Sequence, residues 1–204
     1  MKDNQENRNV MGVVLAGGLS SRMGKDKALL KIASSTMVKR TERLLRNTSV
    51  DKVVISRNDG NPSHFSDLIS GAGPLSGIHS IATRFPHYNL LIQPVDLPLM
   101  DTKNLESLIA CGREQSKNVR FKGSNLPLFV QNTPQFRQIL DYTLKCTQSY
   151  SVARLCSHFL MLELRASADS KTFNTNTPEQ WRFAMQHFEK NHQPNTQEVR
   201  YESF

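Results

Sequence analysis

Residues 10–30 read VMGVVLAGGLSSRMGKDKALL, and this stretch decides the fold. Its first seven residues, VMGVVLA, form an apolar, β-branched run that stops at Gly17-Gly18, as a fully buried strand of a parallel sheet does. A loop carrying Gly17, Gly18, Ser20, Ser21, Arg22, Gly24 and Lys27 follows at once. In open α/β sheets ligands bind beyond the carboxyl ends of the strands, where glycines admit close backbone approach and successive N–H groups point at an anion. Arg22 offers such an anion a planar fork and Lys27 a point charge. For an isolated Gly-Gly pair a plain turn with surface cations is the ordinary reading. The strand before it and the number of specified residues in it favour an anion loop here. GxxxxGK[ST] and GxGxxG are both absent, so a P-loop ATPase and a Rossmann dehydrogenase lose their main support.

Outward from that loop, strands and helices alternate. Residues 36–47 place Met37, Val38, Thr41, Leu44 and Leu45 at helical spacing, with Lys39, Arg40, Glu42, Arg43 and Arg46 opposite, which predicts an amphipathic crossover helix. KVVIS at 52–56 is a second buried strand, closed by the turn formers Asn58, Asp59, Gly60, Asn61 and Pro62. Pro74 suits the first turn of a helix whose apolar face is Ile78, Ile81, Ala82 and Phe85. NLLIQ at 89–93 is a third such strand, and Asp101 or Thr102 caps a helix carrying Leu105, Leu108 and Ile109. Further on, the pattern predicts strands at 118–122, 126–131 and 159–164 and helices at 134–144 and 152–157. Thr177, Pro178 and Gln180 stand as N-cap, N1 and N3 of a capping box, opening a last helix that offers Trp181, Met185 and Phe188 for packing. With no internal repeat and no linker, the expected architecture is a single-domain, three-layer α/β/α fold with a mostly parallel, Rossmann-like central sheet. Residues 10–190 are its domain, with polar tails at 1–9 and 191–204.

A chain of 204 residues can bury its own core without disulfides or metal staples. Its 26 Lys and Arg against 18 Asp and Glu leave a net charge of +8, which attracts anions. The basic residues are spread along the chain without a run of five or six, so small phosphorylated molecules are favoured over nucleic acid. Cys111, Cys146 and Cys156 are far apart and outside any ligand spacing, which argues against a disulfide framework and a zinc site. The histidines show no metal-like spacing either, and His79, near the start of the helix after Pro74, could face a site there but reads better as a surface or helix-packing residue. The first nine residues are polar and no stretch of about 18 apolar residues occurs, so neither a membrane span nor a standard export signal is expected. A reducing cytoplasm suits the free thiols.

LAGGxSxRMGxDK after a strand resembles the nucleotide-binding signature of the sugar-nucleotidyltransferase-like superfamily, and of its molybdenum cofactor guanylyltransferase (MobA) branch in particular. Three later segments agree, in the right order. Gly73-Pro74-Leu75-Ser76-Gly77 is similar to the family's GPLxG, Pro94-Val95-Asp96-Leu97-Pro98 to its P-x-D-x-P metal motif, and residues 173–179, FNTNTPE, to its N-x-NTPE motif. The resemblance spans about residues 10–188. It implies a nucleoside triphosphate, GTP, held by Leu15, Ala16, Gly17, Gly18, Ser20, Arg22 and Lys27, with Asp67, Gly73 and Pro74 around it. It also implies Asn174 and Asn176 near the acceptor or the metal. Asp96, just past a strand and flanked by prolines, is then the Mg²⁺ ligand, and one carboxylate suffices because phosphate oxygens and water fill the rest of the octahedron. Residues of these types also have plainer uses: Asp and Asn cap helices and turns, and Gly-Pro commonly marks a turn before a helix.

The implied reaction is guanylyl transfer to molybdopterin. The acceptor's terminal phosphate oxygen attacks the α-phosphorus of GTP and pyrophosphate leaves. A phosphate monoester is already an anionic nucleophile, so no general base is needed and catalysis rests on positioning and charge neutralisation by Arg22, Lys27 and Asp96-bound Mg²⁺. The chain departs from the family pattern at Ser56, where some members carry Asn and where Asn58 follows closely, and at Leu126 before Pro127, where Gln or His is more usual. A cytidylyltransferase of the same superfamily and a non-catalytic nucleotide-binding module are the alternatives. Molybdoenzyme maturation proteins are the partners the resemblance suggests.

Overall fold

The computed structural model describes residues 8–17, 26–147 and 150–192. The opening run forms strand β1, Val10–Leu15, buried along its whole length. Lys27–Leu29 make one turn of 3-10 helix, and β2, Lys31–Ile32, pairs antiparallel with β3, Ser35–Thr36, in a small hairpin. Helix α1, Met37–Arg46, is capped by the Thr36 hydroxyl on the Lys39 amide and leads to β4, Lys52–Ser56. Next come α2, Pro74–Arg84, β5, Asn89–Pro94, and α3, Thr102–Gln115, where Asp101 rather than Thr102 is the cap and accepts from the Asn104 amide at 2.9 Å. The chain then forms β6, Asn118–Phe121, β7, Leu128–Val130, α4, Pro134–Cys146, α5, Val152–Ser157, β8, Met161–Leu164, and α6, Pro178–His192.

The main sheet runs β4-β1-β5-β7-β6-β8. β1 is parallel to β4 and β5, and β6 to β8, while β7 is antiparallel to both its neighbours. The sheet is therefore mostly parallel with one reversed strand. Side-chain alternation along β1 divides the core in two. Met11, Val13 and Leu15 join Leu75, Ile78 and Ile81 of α2, Phe136 and Leu140 of α4 and Leu155 of α5. Val10 and Val14 face Met37 and Leu45 of α1, Leu105 and Leu108 of α3 and the flank of α6 around Trp181, Met185 and Phe188. Helices thus cover both faces, as a strand buried on both sides requires.

The capping box at Thr177 forms as the residues suggest: the Gln180 amide donates to the Thr177 hydroxyl at 3.3 Å, and the Gln180 side chain accepts from the Thr177 amide at 3.1 Å. His79 packs between helices, buried on α2 with Nε2 3.4 Å from Asp141 of α4. Several details differ from the sequence reading. Phe85 lies just past α2, its amide closing the helix onto the Ile81 carbonyl. Phe159 precedes β8, because its amide bonds the Cys156 carbonyl in the turn that ends α5. No helix among the described residues is long and apolar enough to cross a membrane.

β1 lies between β4 and β5, so the chain leaves it on one side and returns across it to the other. At such a switch point the loops after adjacent strands part and open a crevice at the carboxyl edge. The loops after β1 and β5 are the ones that carry Gly17 and Asp96.

Candidate active site

Asp96 is set by its neighbours in the loop after β5. The Val95 amide bonds the Leu15 carbonyl at 3.1 Å, prolonging the β1–β5 pairing by one residue, and Val95 and Leu97 are buried on either side. Arg40 of α1 donates to the carbonyls of Pro98 and Met100 and holds the far end of the loop. Thr175, itself buried, donates from its amide at 2.9 Å and its hydroxyl at 3.1 Å to the Asp96 carbonyl. The backbone of Asp96 is therefore fixed from two directions, by the sheet and by the segment that precedes α6.

Its side chain is polarised between two environments. Asp96 Oδ2 lies 3.6 Å from the Lys27 ammonium, while Oδ1 is buried with no hydrogen-bond partner. Burial pushes the Asp96 pKa above the usual carboxylate range, and the charge of Lys27 and the amide of Asn174 oppose that shift. A buried carboxylate oxygen without a partner is costly to the fold and rare, and it marks a place where a ligand is to be met. Among the described residues no three His, Cys, Asp or Glu side chains converge. A single carboxylate with an unpartnered oxygen fits a hard cation of the Mg²⁺ type, which takes one or two carboxylates and shares the rest of its shell with substrate.

Lys27 opens the 3-10 turn that follows the glycine loop. Asp26 caps that turn, its Oδ1 accepting from the Ala28 amide at 2.9 Å. From there the ammonium donates to Asn176 Oδ1 at 2.6 Å and meets Asp96. The Asn176 amide in turn donates to the Gln180 side chain at 2.7 Å, so the capping box also orients the residue that receives Lys27. Lys27, Asp96 and Asn176, from three remote parts of the chain, converge on one point, with Asn174 beside it.

The other expected residues stand around the same sheet edge. Leu15 and Ala16 end β1, and the Ala16 amide bonds the Ser56 carbonyl at 3.0 Å. Gly17 is exposed, with open space where a Cβ would lie. Gly73 has φ +57° at the N-cap of α2, a conformation that disfavours a side chain, and Pro74 follows as the first helical residue. Asp67 is engaged by Asn58, the amide of one donating to the side chain of the other at 2.8 Å and the Asn58 side chain returning a bond at 2.7 Å. The resemblance set Asp67 around the nucleotide and noted Asn58 only as following Ser56; the structure makes the two one unit. Gly18, Ser20 and Arg22 lie outside the described residues.

Three residues of this region escaped the sequence reading. Thr175 sits inside the quoted FNTNTPE segment, between the two asparagines singled out there, and carries no role in that reading. Asp26 lies within the glycine-loop signature, yet its capping role needs the 3-10 turn to be seen. Arg57, directly after β4, is buried at 8% exposure and binds Ala16, Asp26 and Asp59.

Asp59 forms the outer end of that array. Burial is the largest single influence and opposes its ionisation, but the hydrogen bonds from His64, the Asn61 amide and Arg57 together outweigh it and pull its pKa down to about 2. Because the folded pKa lies below the unfolded one, its contribution to stability is complete above the ordinary carboxylate range and is lost as pH falls toward 2. Asp59→Asn is expected to narrow the gap between the urea midpoints measured at pH 6 and pH 3. An unchanged gap would remove Asp59 from the acid sensitivity of the fold.

The MobA-like NTP transferase domain matches residues 12–155. The molybdenum cofactor guanylyltransferase of Xanthomonas euvesicatoria is 35% identical over 83% of this chain and 91% of its own length. The probable molybdenum cofactor guanylyltransferase of Pelotomaculum thermopropionicum is 29% identical over 82% and 87%. In three dimensions the chain is similar to the molybdopterin-guanine dinucleotide biosynthesis protein A of Archaeoglobus fulgidus, with a TM-score of 0.73 at 16% identity over 88% of this chain and 99% of the other. The fold, the order of the motifs and these matches agree: the chain belongs to the MobA-like NTP transferase family.

Proposed function

We propose that this protein is a molybdenum cofactor guanylyltransferase, transferring GMP from GTP to the terminal phosphate of molybdopterin and releasing pyrophosphate. Membership of the family and relatives of that name over most of the chain support the activity. The convergence of Lys27, Asp96 and Asn176 at the switch point of the sheet is the observation that carries the site. A new bond forms between the acceptor phosphate oxygen and the α-phosphorus, and the bond from that phosphorus to the bridging oxygen of the β-phosphate breaks with its electrons, giving pyrophosphate. Lys27, at the start of a capped turn, binds the triphosphate and neutralises charge developing on the leaving group. Gly17, with Gly18, Ser20 and Arg22, brings backbone amides and a guanidinium to the same anion. Asp96 would hold Mg²⁺ through its unpartnered oxygen, and the cation, when bound, supplies Lewis-acid stabilisation of the phosphates. Asn174 and Asn176 border the acceptor side, while Asp67, Gly73 and Pro74 border the nucleotide. The cytoplasm is the compartment we assign, since Cys111, Cys146 and Cys156 are all free thiols.

The test is calorimetry of GTP, CTP, ATP and UTP with and without Mg²⁺, followed by pyrophosphate release in the presence of molybdopterin. GTP should bind selectively, and Lys27→Ala should weaken it by roughly 10- to 100-fold, the value of one charge-assisted contact. A preference for CTP would move the assignment to a cytidylyltransferase. Tight GTP binding without Mg²⁺-dependent pyrophosphate release would make the chain a binding module.

A further inference from the structure

The glycine loop has two ends, and one side chain holds both. Arg57 leaves β4 and turns inward beside β1. Its Nη1 donates to the Ala16 carbonyl at 3.1 Å, at the point where β1 gives way to the loop. The same guanidinium meets both carboxylate oxygens of Asp26: Nη1 lies 3.4 Å from Oδ1, and Nη2 pairs with Oδ2. Nε is occupied by Asp59 Oδ2 at 2.7 Å. A guanidinium is rigid and planar, so groups bound along its edges are held at a set separation, which a lysine ammonium cannot impose. The distance between the two ends of the loop is thereby defined by Arg57.

The second consequence runs through Asp26. The oxygen that Arg57 Nη1 approaches, Oδ1, also accepts from the Ala28 amide and caps the turn on which Lys27 stands. Arg57 fixes Asp26, Asp26 fixes the turn, and the turn sends Lys27 to Asp96 and Asn176. A surface salt bridge between long side chains contributes little. Arg57 is a different case: its side chain is only 9% exposed, it satisfies a backbone carbonyl and it makes a forked contact with a carboxylate, so its geometry is narrowly defined. A buried arginine whose donors are taken up by Ala16, Asp26 and Asp59 is suited to holding the end of β1 and the turn of Lys27 in register.

We propose that Arg57 is a positioning residue of the nucleotide site, clamping Ala16 and Asp26 to each other so that the turn capped by Asp26 keeps its place and Lys27 its aim. The proposal rests on the nucleotidyltransferase reading above. Displacement of a charged group by about 1 Å can cost on the order of 100-fold in rate. Arg57→Ala is therefore expected to lower kcat/KM for GTP by about 100-fold, with kcat falling as well as KM rising. Arg57→Lys keeps the charge without the fork and should recover about one tenth of the wild-type value.

The decisive measurement is a double-mutant cycle on kcat/KM with Arg57→Ala, Asp26→Asn and the pair together, run beside wild type and Asp59→Asn. If Arg57 acts through Asp26, the pair loses little more than the worse single variant. Asp59→Asn changes only the contact at Nε and leaves those to Ala16 and Asp26 in place, so it should shift the urea midpoint and leave kcat and KM for GTP within about threefold of wild type. Losses that multiply in the double variant, or wild-type kinetics in a folded Arg57→Ala, would overturn the clamp. Should Arg57→Ala fail to fold, Arg57→Lys with Asp26→Asn completes the same cycle. Absence of GTP turnover in the wild-type arm would strike the functional reading instead, which keeps the two failures distinct.

Discussion

Asp96→Asn abolishes nearly all turnover, by about three orders of magnitude or about 4 kcal/mol of transition-state stabilisation, while the protein remains folded. The two parts of this expectation have one physical origin. Asp96 Oδ1 is buried without a partner, and burial raises the carboxyl pKa despite the nearby charge of Lys27. A raised folded pKa means that the native state binds the proton more tightly than the unfolded chain. Stability therefore falls as pH rises from the ordinary carboxylate range through the folded pKa, so above that range the buried carboxyl is a cost to the fold. Asparagine has the same shape without that cost. Thermal unfolding at pH 7 without divalent cations should then give a midpoint equal to or above that of wild type, whereas pyrophosphate release at saturating Mg²⁺ collapses. Turnover within about threefold of wild type would show that Asp96 is a structural carboxylate and that the cation is held elsewhere.

Much of this centre was legible in the sequence, and the reasons are specific. β1 announces itself because a strand buried on both faces must be apolar at every position, and Val10–Leu15 is. The capping box at Thr177 is a local pattern, complete within four residues, and it forms with the expected donors and acceptors. What escaped is short or long-range. The hairpin of β2 and β3 has two residues per strand, too few to carry a period. β7 is three apolar residues, LFV, and an apolar run says that a strand is buried without saying which way it points. The bond between Lys27 and Asn176 joins positions 149 apart, so motif order could place the residues in one family but not against each other. Arg57 was hidden for another reason: an arginine at the end of a strand reads as a solvated charge, and only the arrival of Ala16 and Asp26 on either side explains its burial.

Gly112→Ala carries the largest expected loss of stability. By helix propensity alone the substitution in α3 should stabilise the protein by about 1 kcal/mol. The packing opposes it. A Cβ built on Gly112 would lie 2.2, 2.3 and 2.7 Å from three ring carbons of Phe129, far inside any tolerable contact. Phe129 is fully buried on β7, which is flanked on both sides by β5 and β6, so the ring has no free direction in which to turn. The helix is also tied to that strand by the Gln131 side chain, which donates to the Gly112 carbonyl at 3.2 Å. Relief requires α3 to lift from the sheet, away from the cluster that includes Leu105, Leu108 and Phe121. Overpacking of this kind costs about 1–3 kcal/mol, and contacts this short put the site at the upper end, so a net loss of about 2 kcal/mol is expected after the propensity gain. That corresponds to a fall of roughly 4–8 °C in the unfolding midpoint of a chain this size. The companion variant Phe129→Leu, which makes room for the added methyl group, should restore part of the loss in the double variant, because the two residues share one contact. A midpoint that rises in Gly112→Ala alone would mean that α3 and β7 are further apart in solution than the present geometry allows.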